Sequence, residues 1–137
     1  MSEENYLDIN RDSWNRKTKH HLKSDFYELE AFKEGKSSLN DIELDLLEDV
    51  KEKSILHLQC HFGQDSMSLS RLGAKVTGID LSDEAIKQAK ILSREVQLDT
   101  QFVASDVYDL PNNLEALKNS VEHCYLCELS KTRKKTV

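Results

Sequence analysis

Glycine and proline are scarce in this sequence, with four glycines and one proline among 137 residues. No segment is rich enough in glycine, proline or serine to indicate a linker, and no stretch is repeated. The length suits one domain with a modest hydrophobic core. With 38% hydrophobic and 32% charged residues, the composition is typical of a globular protein and not of a fibrous or membrane protein.

Long hydrophobic runs and paired cysteines are also missing. No apolar run approaches the ~20 residues that cross a membrane. The opening MSEENYLDIN is too polar for the core of a signal peptide. The three cysteines form no paired framework, which fits a reducing compartment. The sequence therefore predicts a cytoplasmic protein.

Positive charge is in short supply over most of the chain. The formal net charge is −6, which disfavours a general nucleic-acid-binding surface. From Lys118 onward the balance reverses, with five basic and two acidic residues. We interpret the basic run KTRKK, residues 131–135, as a solvated tail.

Short apolar segments alternate with helical patterns through the middle of the chain. The sequence predicts strands over 54–59, 75–79 and 100–104, and helices over 64–71 and 83–95. This βαβαβ alternation implies a parallel sheet with right-handed crossovers and strand order 3-2-1. The predicted fold class is therefore α/β, half of a Rossmann-like sheet.

The first fifty residues are predicted to form a helical cap at the open end of the sheet. Helices are expected over about 3–22 and 41–49, because both stretches have good helix formers or N-caps and no glycine or proline. In the second helix the spacing places Ile42, Leu46 and Val50 on one face. In and just after the predicted helix over 64–71, the side chains of Met67 and Leu72 are expected to face the core.

The turn after the first predicted strand is short of glycine. Gln59 and His61 stand where two of the three glycines of a dinucleotide-binding turn would lie, and Gly63 is the third. Because a pyrophosphate must touch the backbone there, an NAD-type ligand is disfavoured, whereas a ligand without phosphates remains allowed. Asp80 closes the second predicted strand 21 residues after Gln59, near the ~20 expected for a ribose-binding acid.

These segments resemble those of a known family. LHLQCHFGQDSMSLSRLGAKVTGIDLS is similar to the first motif and second strand of class I S-adenosylmethionine-dependent methyltransferases, in the subgroup whose first motif reads HLQCHFGQD. SDVYDLP, residues 105–111, is similar to the segment that follows their third strand. The resemblance covers residues 54–111. It implies S-adenosylmethionine as cofactor and methyl transfer to an acceptor.

The resemblance also implies which residues bind the cofactor. Gly63 would approach the aminocarboxypropyl part, Asp80 would accept hydrogen bonds from the ribose hydroxyls, and Leu81 would pack on the adenine. Asp106 would receive the adenine amino group, and the backbone N–H of Val107 would meet the ring. The implied set is Gln59, Cys60, His61, Gly63, Asp80, Leu81, Asp106 and Val107. No catalytic residue is predicted.

Five of these residues have an ordinary structural alternative. Gly63 could be a turn glycine, Asp80 a helix N-terminal charge and Asp106 a loop acid. The side chains of Gln59 and His61 could contact the cofactor's carboxylate or fill the space that glycine leaves.

Several other side chains are assigned structural roles. His57 is expected to be a core or rim residue of the first strand. The pair Cys124 and Cys127 has zinc-ligand spacing but is interpreted as apolar filler, so no metal site is predicted. The first fifty residues are called the leader. In the leader, Trp14 and Tyr27 are expected to pack in the core, and His20 and His21 are expected to lie in solvent. The alternative for all four side chains is a role in covering the cofactor.

The C-terminal part departs from the family's pattern. A complete member needs a fourth strand and more, whereas residues 112–129 are predicted to form a helix, with a short strand over 123–129 as the alternative. The chain is therefore interpreted as a methyltransferase truncated at its C-terminus, with domains 1–50, 51–111 and 112–137. The first strand would then have a free edge suited to self-association. The alternative function is a non-catalytic interaction module that associates through that edge.

Overall fold

The computed structural model describes residues 3–110, which form an α/β fold. The elements are α1 Glu3–His21, a 3-10 helix Asp25–Tyr27, α2 Leu29–Lys33, α3 Asp41–Leu47, β1 Ser54–Leu58, α4 Gln64–Arg71, β2 Lys75–Asp80, α5 Asp83–Glu95 and β3 Gln101–Ala104. The predicted fold class is confirmed, and the two central helices have their expected bounds. The predictions for residues 112–137, including the helix, the two cysteines and the basic tail, lie outside the described residues.

The sheet has three parallel strands in the described part of the chain, with β2 between β1 and β3, so the predicted order is confirmed. Leu58 pairs with Ile79, and Asp80 pairs with Ala104. Because parallel strands end at the same edge, the segments that follow β1, β2 and β3 meet there. That edge is where the resemblance places the cofactor.

Helices α4 and α5 pack on one face of this sheet. His57, Gly78 and Phe102 are register partners and share that face. His57 bonds to Ser66 of α4, and Phe102 is clustered with apolar residues of α4 and α5. This cluster is the main core: Phe32, Cys60, Phe62, Met67, Ile86, Ala89, Leu92 and Phe102.

Two of the expected helix faces are wrong. Ile42 and Leu46 are 72% and 79% exposed, while Val50 is buried. The reason is that α3 ends at Leu47 and the chain turns at Glu48, which has a φ of 54°, so Val50 no longer shares the helical face. Likewise Leu72 is 46% exposed, because it lies just past the end of α4. Leu69 is buried in its place.

The leader is joined to the sheet domain through α1 and α5. Asn15 of α1 accepts a hydrogen bond at Oδ1 from the Ser82 hydroxyl at 2.6 Å and from the Glu84 N–H at 3.3 Å. Ser82 is itself the N-cap of α5 and accepts from the Ala85 N–H at 3.0 Å. Asn15 therefore extends the cap of α5 and fixes α1 beside the carboxyl end of β2.

No helix among residues 3–110 combines the length and the apolar character that crossing a membrane requires.

Candidate functional site

The loop after β1 is hydrogen-bonded to the end of β2. The His61 N–H donates to Oδ2 of Asp80 at 2.8 Å, and the Ser82 N–H donates to Oδ1 of the same carboxylate at 2.8 Å. The Cys60 N–H donates to the Ile79 carbonyl at 2.9 Å. Asp80 thus lies at the crevice between the two strand ends. Each carboxylate oxygen has two lone pairs, so the two backbone donors leave acceptor capacity for a ligand.

The backbone of this loop is left-handed at three positions, although only one of them is a glycine. Gln59, His61 and Gly63 have φ values of 57°, 56° and 84°. Positive φ is the region that favours glycine and costs other residues roughly 1–2 kcal/mol. The sequence indicated that Gln and His would obstruct such a turn. In the structure the alternating left-handed conformation is present at all three positions.

Gly63 is required by packing as well as by its backbone angle. A Cβ on Gly63 would lie 2.4 Å from Cζ and 2.5 Å from Cε1 of Phe102, closer than real Cβ contacts. Gly63 precedes the first residue of α4, and its carbonyl accepts from the Met67 N–H at 2.9 Å. Its lack of a side chain therefore lets α4 start close to β3. These contacts support the interpretation of Gly63 as a turn glycine that is also needed for packing. Contact between Gly63 and a cofactor remains a prediction.

The imidazole of His61 lies among side chains of the leader. His21 Nδ1 is 3.1 Å from His61 Nε2, and the Tyr27 hydroxyl is 3.4 Å from the same His21 nitrogen. Trp14 approaches His61 edge-on, with ring centroids 6.2 Å apart. Phe62 also packs against His61, at 4.4 Å between ring centroids. The side chain of His61 fills space and holds the leader, which is one of its two expected roles.

Two leader expectations are wrong. Trp14 is 43% exposed and lines a cavity instead of packing in the core. His21 is half-buried against His61 instead of lying in solvent. The sequence offered no signal for either contact, because each joins residues 40 or more positions apart. His20 is exposed, as expected.

Burial shifts the pKa of three side chains at the site. It lowers the pKa of His57, whose Nδ1 is 2.7 Å from the buried Ser66 hydroxyl. Burial and the neighbouring His21 lower the pKa of His61, although Asp80 acts in the opposite direction. Burial, with a smaller effect of Asp80, raises the pKa of the Cys60 thiol to about 12.

These shifts have direct consequences for the chemistry. Both imidazoles are neutral at neutral pH, and the thiol is not an effective nucleophile. Since the Cys60 side chain is buried in the main core, only its backbone is available to a ligand.

The residues after β2 and β3 are brought to the same edge. The Ser105 N–H donates to the Asp80 backbone carbonyl at 2.9 Å. Leu81, Asp106 and Val107 are half-buried. Asp106 also accepts at Oδ1 from the Tyr108 N–H at 3.1 Å, which is a turn role. The structure thus brings these residues to one edge of the sheet, but Asp80, Leu81, Asp106 and Val107 do not line the cavity between the leader and the loop after β1. Their roles toward a ligand remain predictions.

A cavity of about 620 Å³ lies between the leader and the loop after β1. Gln59, Cys60, His61 and Gly63 line its loop side, and the leader contributes its aromatic wall: Trp14, Phe26, Tyr27 and Phe32. Sequence analysis missed Gln64, whose Nε2 donates to the Tyr27 carbonyl at 2.8 Å. It also missed Ser38, which donates to Asp65 Oδ1 at 2.6 Å. Within residues 3–110, no three His, Cys, Asp or Glu side chains are grouped to hold a metal ion.

Comparisons with known proteins repeatedly find similarity to methyltransferases. A family model described as "Methyltransferase domain" matches residues 55–136. The ubiquinone biosynthesis O-methyltransferase of Xanthomonas oryzae pv. oryzae (strain PXO99A) is 34% identical over 76 residues, 53% of this chain and 32% of that protein. The protein of the same name from Nitrosomonas europaea is 39% identical over 57 residues, 39% of this chain and 24% of its own length. The matches therefore span a third or less of these relatives.

A solved structure shares the fold. Magnesium protoporphyrin IX methyltransferase (ChlM) from Synechocystis PCC 6803, with bound SAH, aligns with a TM-score of 0.52 at 19% identity. The alignment covers 77% of this chain and 53% of that chain. At this level of identity the likeness shows the arrangement of strands and helices.

Proposed function

Because the chain belongs to the methyltransferase domain family, whose model covers residues 55–136, we propose that it binds S-adenosylmethionine across the carboxyl ends of β1, β2 and β3. The cofactor's sulfonium would transfer its methyl group to an acceptor nucleophile, leaving S-adenosylhomocysteine. The cofactor supplies the reactivity, and the protein supplies position and exclusion of water.

The observation that carries this proposal is the placement of Asp80. Its carboxylate closes β2, faces the loop after β1 and is fixed by the N–H groups of His61 and Ser82 at 2.8 Å each. A fixed carboxylate with free lone pairs is suited to accept both hydroxyls of a ribose. The adenine would then lie near Leu81, Asp106 and Val107.

The other end of the cofactor would extend along the loop after β1. Gln59 is exposed and lines the cavity, so its amide is available to the aminocarboxypropyl carboxylate. Cys60 and His61 would contribute only through their carbonyl oxygens, since their side chains are engaged with the core and the leader and their N–H groups are bonded to Ile79 and Asp80. Gly63 allows the start of α4 to lie near the ligand.

We propose the domain boundaries 1–50, 51–111 and 112–137 and a cytoplasmic location on the sequence features alone. The spacing of the three cysteines in the sequence, which forms no paired framework, supports that location.

Calorimetric titration of the full 137-residue chain with S-adenosylmethionine tests the proposal. We expect micromolar binding that Asp80→Asn weakens by about 10–100-fold, because hydrogen bonds to a charged acceptor contribute roughly 1.5–3 kcal/mol. Asp99→Asn is the matched control, since Asp99 is an exposed acid that precedes β3, away from the strand ends that form the site. NADH should give no heat.

Absence of S-adenosylmethionine binding in a folded, cooperatively unfolding chain would overturn the proposal. The interaction module that associates through the edge of β1 would then be the better interpretation. Equal affinity of wild type and Asp80→Asn would remove Asp80 from the site.

A further inference from the structure

The cavity between the leader and the loop after β1 has more room than the proposed cofactor contacts use. Its volume of about 620 Å³ is typical of pockets that hold a whole small molecule, ~300–1,000 Å³. Of the proposed cofactor residues, Asp80, Leu81, Asp106 and Val107 do not line it. Every described residue that lines it lies between positions 14 and 65. The cavity therefore has space for a second ligand, which the leader would contact.

The cavity adjoins the place where the two ends of the cofactor would meet. Gln59 and His61 line it, and the His61 N–H is bonded to the Asp80 carboxylate at 2.8 Å. The contacts proposed for the ribose and for the aminocarboxypropyl group thus lie on the two sides of one short loop. A molecule in the cavity would therefore lie next to the sulfonium that links these two parts.

Three aromatic rings of the leader give the cavity an apolar wall. Trp14 is 43% exposed and Phe26 is 84% exposed, so both rings have free surface. Tyr27 packs edge-to-face on Phe26 and on Phe62, with ring centroids 5.1 and 5.2 Å apart. Rigid rings bind other rings with little loss of side-chain freedom. The wall therefore suits an aromatic ligand.

The charged groups of the cavity are few. Lys36 is the single cation among the described lining residues, and its ammonium is bonded to the carboxylate of Glu28. The other acid of the lining is Asp65, which accepts a hydrogen bond from the Ser38 hydroxyl at 2.6 Å. In the part of the chain that the structure describes, Asp65 forms no ion pair. The lining therefore carries one negative charge that no cation balances.

Bound S-adenosylmethionine would balance the charge of Asp65. The lining imidazoles of His57 and His61 are neutral because burial lowers their pKa. The net charge of the cofactor is positive, so with cofactor and Asp65 together an anion and a cation would each gain little attraction. Either ion would also lose its hydration on entering the cavity. An uncharged ligand avoids that loss.

The same reasoning bears on the reacting group of the ligand. A phenolic hydroxyl, with a pKa of ~10, is uncharged at neutral pH, whereas a carboxyl or an alkylamine is ionised. Transfer to a hydroxyl would form an O–CH₃ bond and break the S–CH₃ bond, whose electron pair stays on sulfur. The hydroxyl proton would go to solvent water.

We propose that this cavity is the methyl-acceptor pocket of the chain and that it takes an uncharged aromatic molecule bearing a hydroxyl group, with its ring on Trp14 and Phe26. This inference rests on the proposed function, because a molecule in the cavity is an acceptor only beside bound S-adenosylmethionine. The leader then selects the substrate as well as holding the loop after β1.

The first test compares three probes of one shape by calorimetry: 2-naphthol, which is uncharged, the anion 2-naphthoate and the cation 2-naphthylmethylammonium. Each is titrated into the full 137-residue chain saturated with S-adenosylmethionine. We expect 2-naphthol to bind at least about tenfold more tightly than either ion, because each ion loses hydration without a partner of opposite charge. Equal affinity of the three probes, or no binding of 2-naphthol, overturns the proposal.

The second test removes the aromatic wall. Trp14→Leu and Phe26→Leu should each weaken 2-naphthol binding roughly 3–10-fold, the size of one aromatic contact. Tyr6→Leu is the matched control, because Tyr6 is an exposed aromatic residue of α1 that does not line the cavity. Phe26 is so exposed that its substitution removes little packing, and circular dichroism checks that each variant is folded. Unchanged affinity for 2-naphthol in both wall variants overturns the proposal.

The third test changes the charge of the lining. Asp65→Asn keeps an acceptor for Ser38 but removes the negative charge. It should strengthen 2-naphthoate binding and weaken binding of the cationic probe, each about threefold, and leave 2-naphthol unchanged. Asp99→Asn is the control, since Asp99 is an exposed acid that precedes β3 and does not line the cavity. A merely structural role of Asp65 would not move the two ions in opposite directions, so a parallel change overturns the proposal.

Competition separates this proposal from the proposed function. Binding of 2-naphthol to the chain with S-adenosylmethionine still in place supports both. Displacement of the cofactor by 2-naphthol overturns the acceptor pocket and leaves the proposed function intact. Absence of S-adenosylmethionine binding in a folded chain overturns the proposed function, and the acceptor role of the cavity with it.

Discussion

The ring of Phe102 occupies the space that a side chain on Gly63 would need, with Cζ only 2.4 Å from the position of a Cβ. Phe102 belongs to β3, and Gly63 lies between β1 and α4. A single missing side chain therefore sets how closely α4 approaches the sheet at the edge where the site lies.

Gly63→Ala is predicted to destabilise the protein by about 2–4 kcal/mol, from overpacking against Phe102 and from the positive φ of 84°. Gly35→Ala is the matched control, because Gly35 also has a positive φ, of 115°, but nothing lies within 4 Å of its Cβ position. Urea unfolding of both variants isolates the packing part. Equal losses would show that the Phe102 contact contributes nothing.

Gln59→Gly is predicted to stabilise the protein by about 0.5–1 kcal/mol, since glycine relieves the strain of a φ of 57° but gains freedom in the unfolded chain. Gln97 has the same φ and is far from the loop in sequence, so Gln97→Gly should give a similar gain. If only Gln97→Gly stabilises, the exposed Gln59 side chain makes a stabilising contact that the structure does not show.

Asn15→Ala is predicted to lower the free energy of unfolding by about 1–2 kcal/mol, because the Ser82 hydroxyl and the Glu84 N–H lose their acceptor. Asn10→Ala is the control for helix propensity, since Asn10 is an exposed residue of the same helix. Thermal unfolding should separate the two variants by several degrees. A loss no greater than that of Asn10→Ala would mean that the Asn15 cap is not significant.

Folding stability is predicted to fall on acidification. Burial lowers the pKa of His57 in the folded state, whereas the unfolded chain has the ordinary value of ~6.5. Above that value neither state is protonated and there is no effect. Below it the unfolded state binds more protons, so the free energy of unfolding falls until the pH passes the lowered folded pKa.

Urea unfolding as a function of pH measures this dependence. His57→Gln keeps a polar group near Ser66 but cannot titrate, so its curve should be flatter than that of the wild type. His20→Gln should not flatten it, because His20 is exposed. A wild-type curve that is level between neutral pH and the lowered pKa would contradict the assignment of a buried, neutral His57.

Local patterns were enough to predict the sheet and helices α4 and α5, because strand order follows from the βαβαβ alternation and Ser82 marks the start of α5. The position of Asp80 also followed from its place after a strand. The contacts of Trp14 and His21 could not be predicted, since they depend on how α1 docks on a loop 40 residues away. The separation of Val50 from Ile42 and Leu46 was missed because the helix ends at Leu47 and the chain turns at Glu48, so Val50 does not share their face.

The left-handed backbone at Gln59 and His61 bears on how such sites are found. A motif search that counts glycine letters would pass over this loop, although the chain bends there as three glycines would allow. In this loop the left-handed backbone is kept at two positions that carry side chains, and only Gly63 requires glycine itself. Proteins that carry side chains at these positions can use them for other contacts, as His61 does here with the leader.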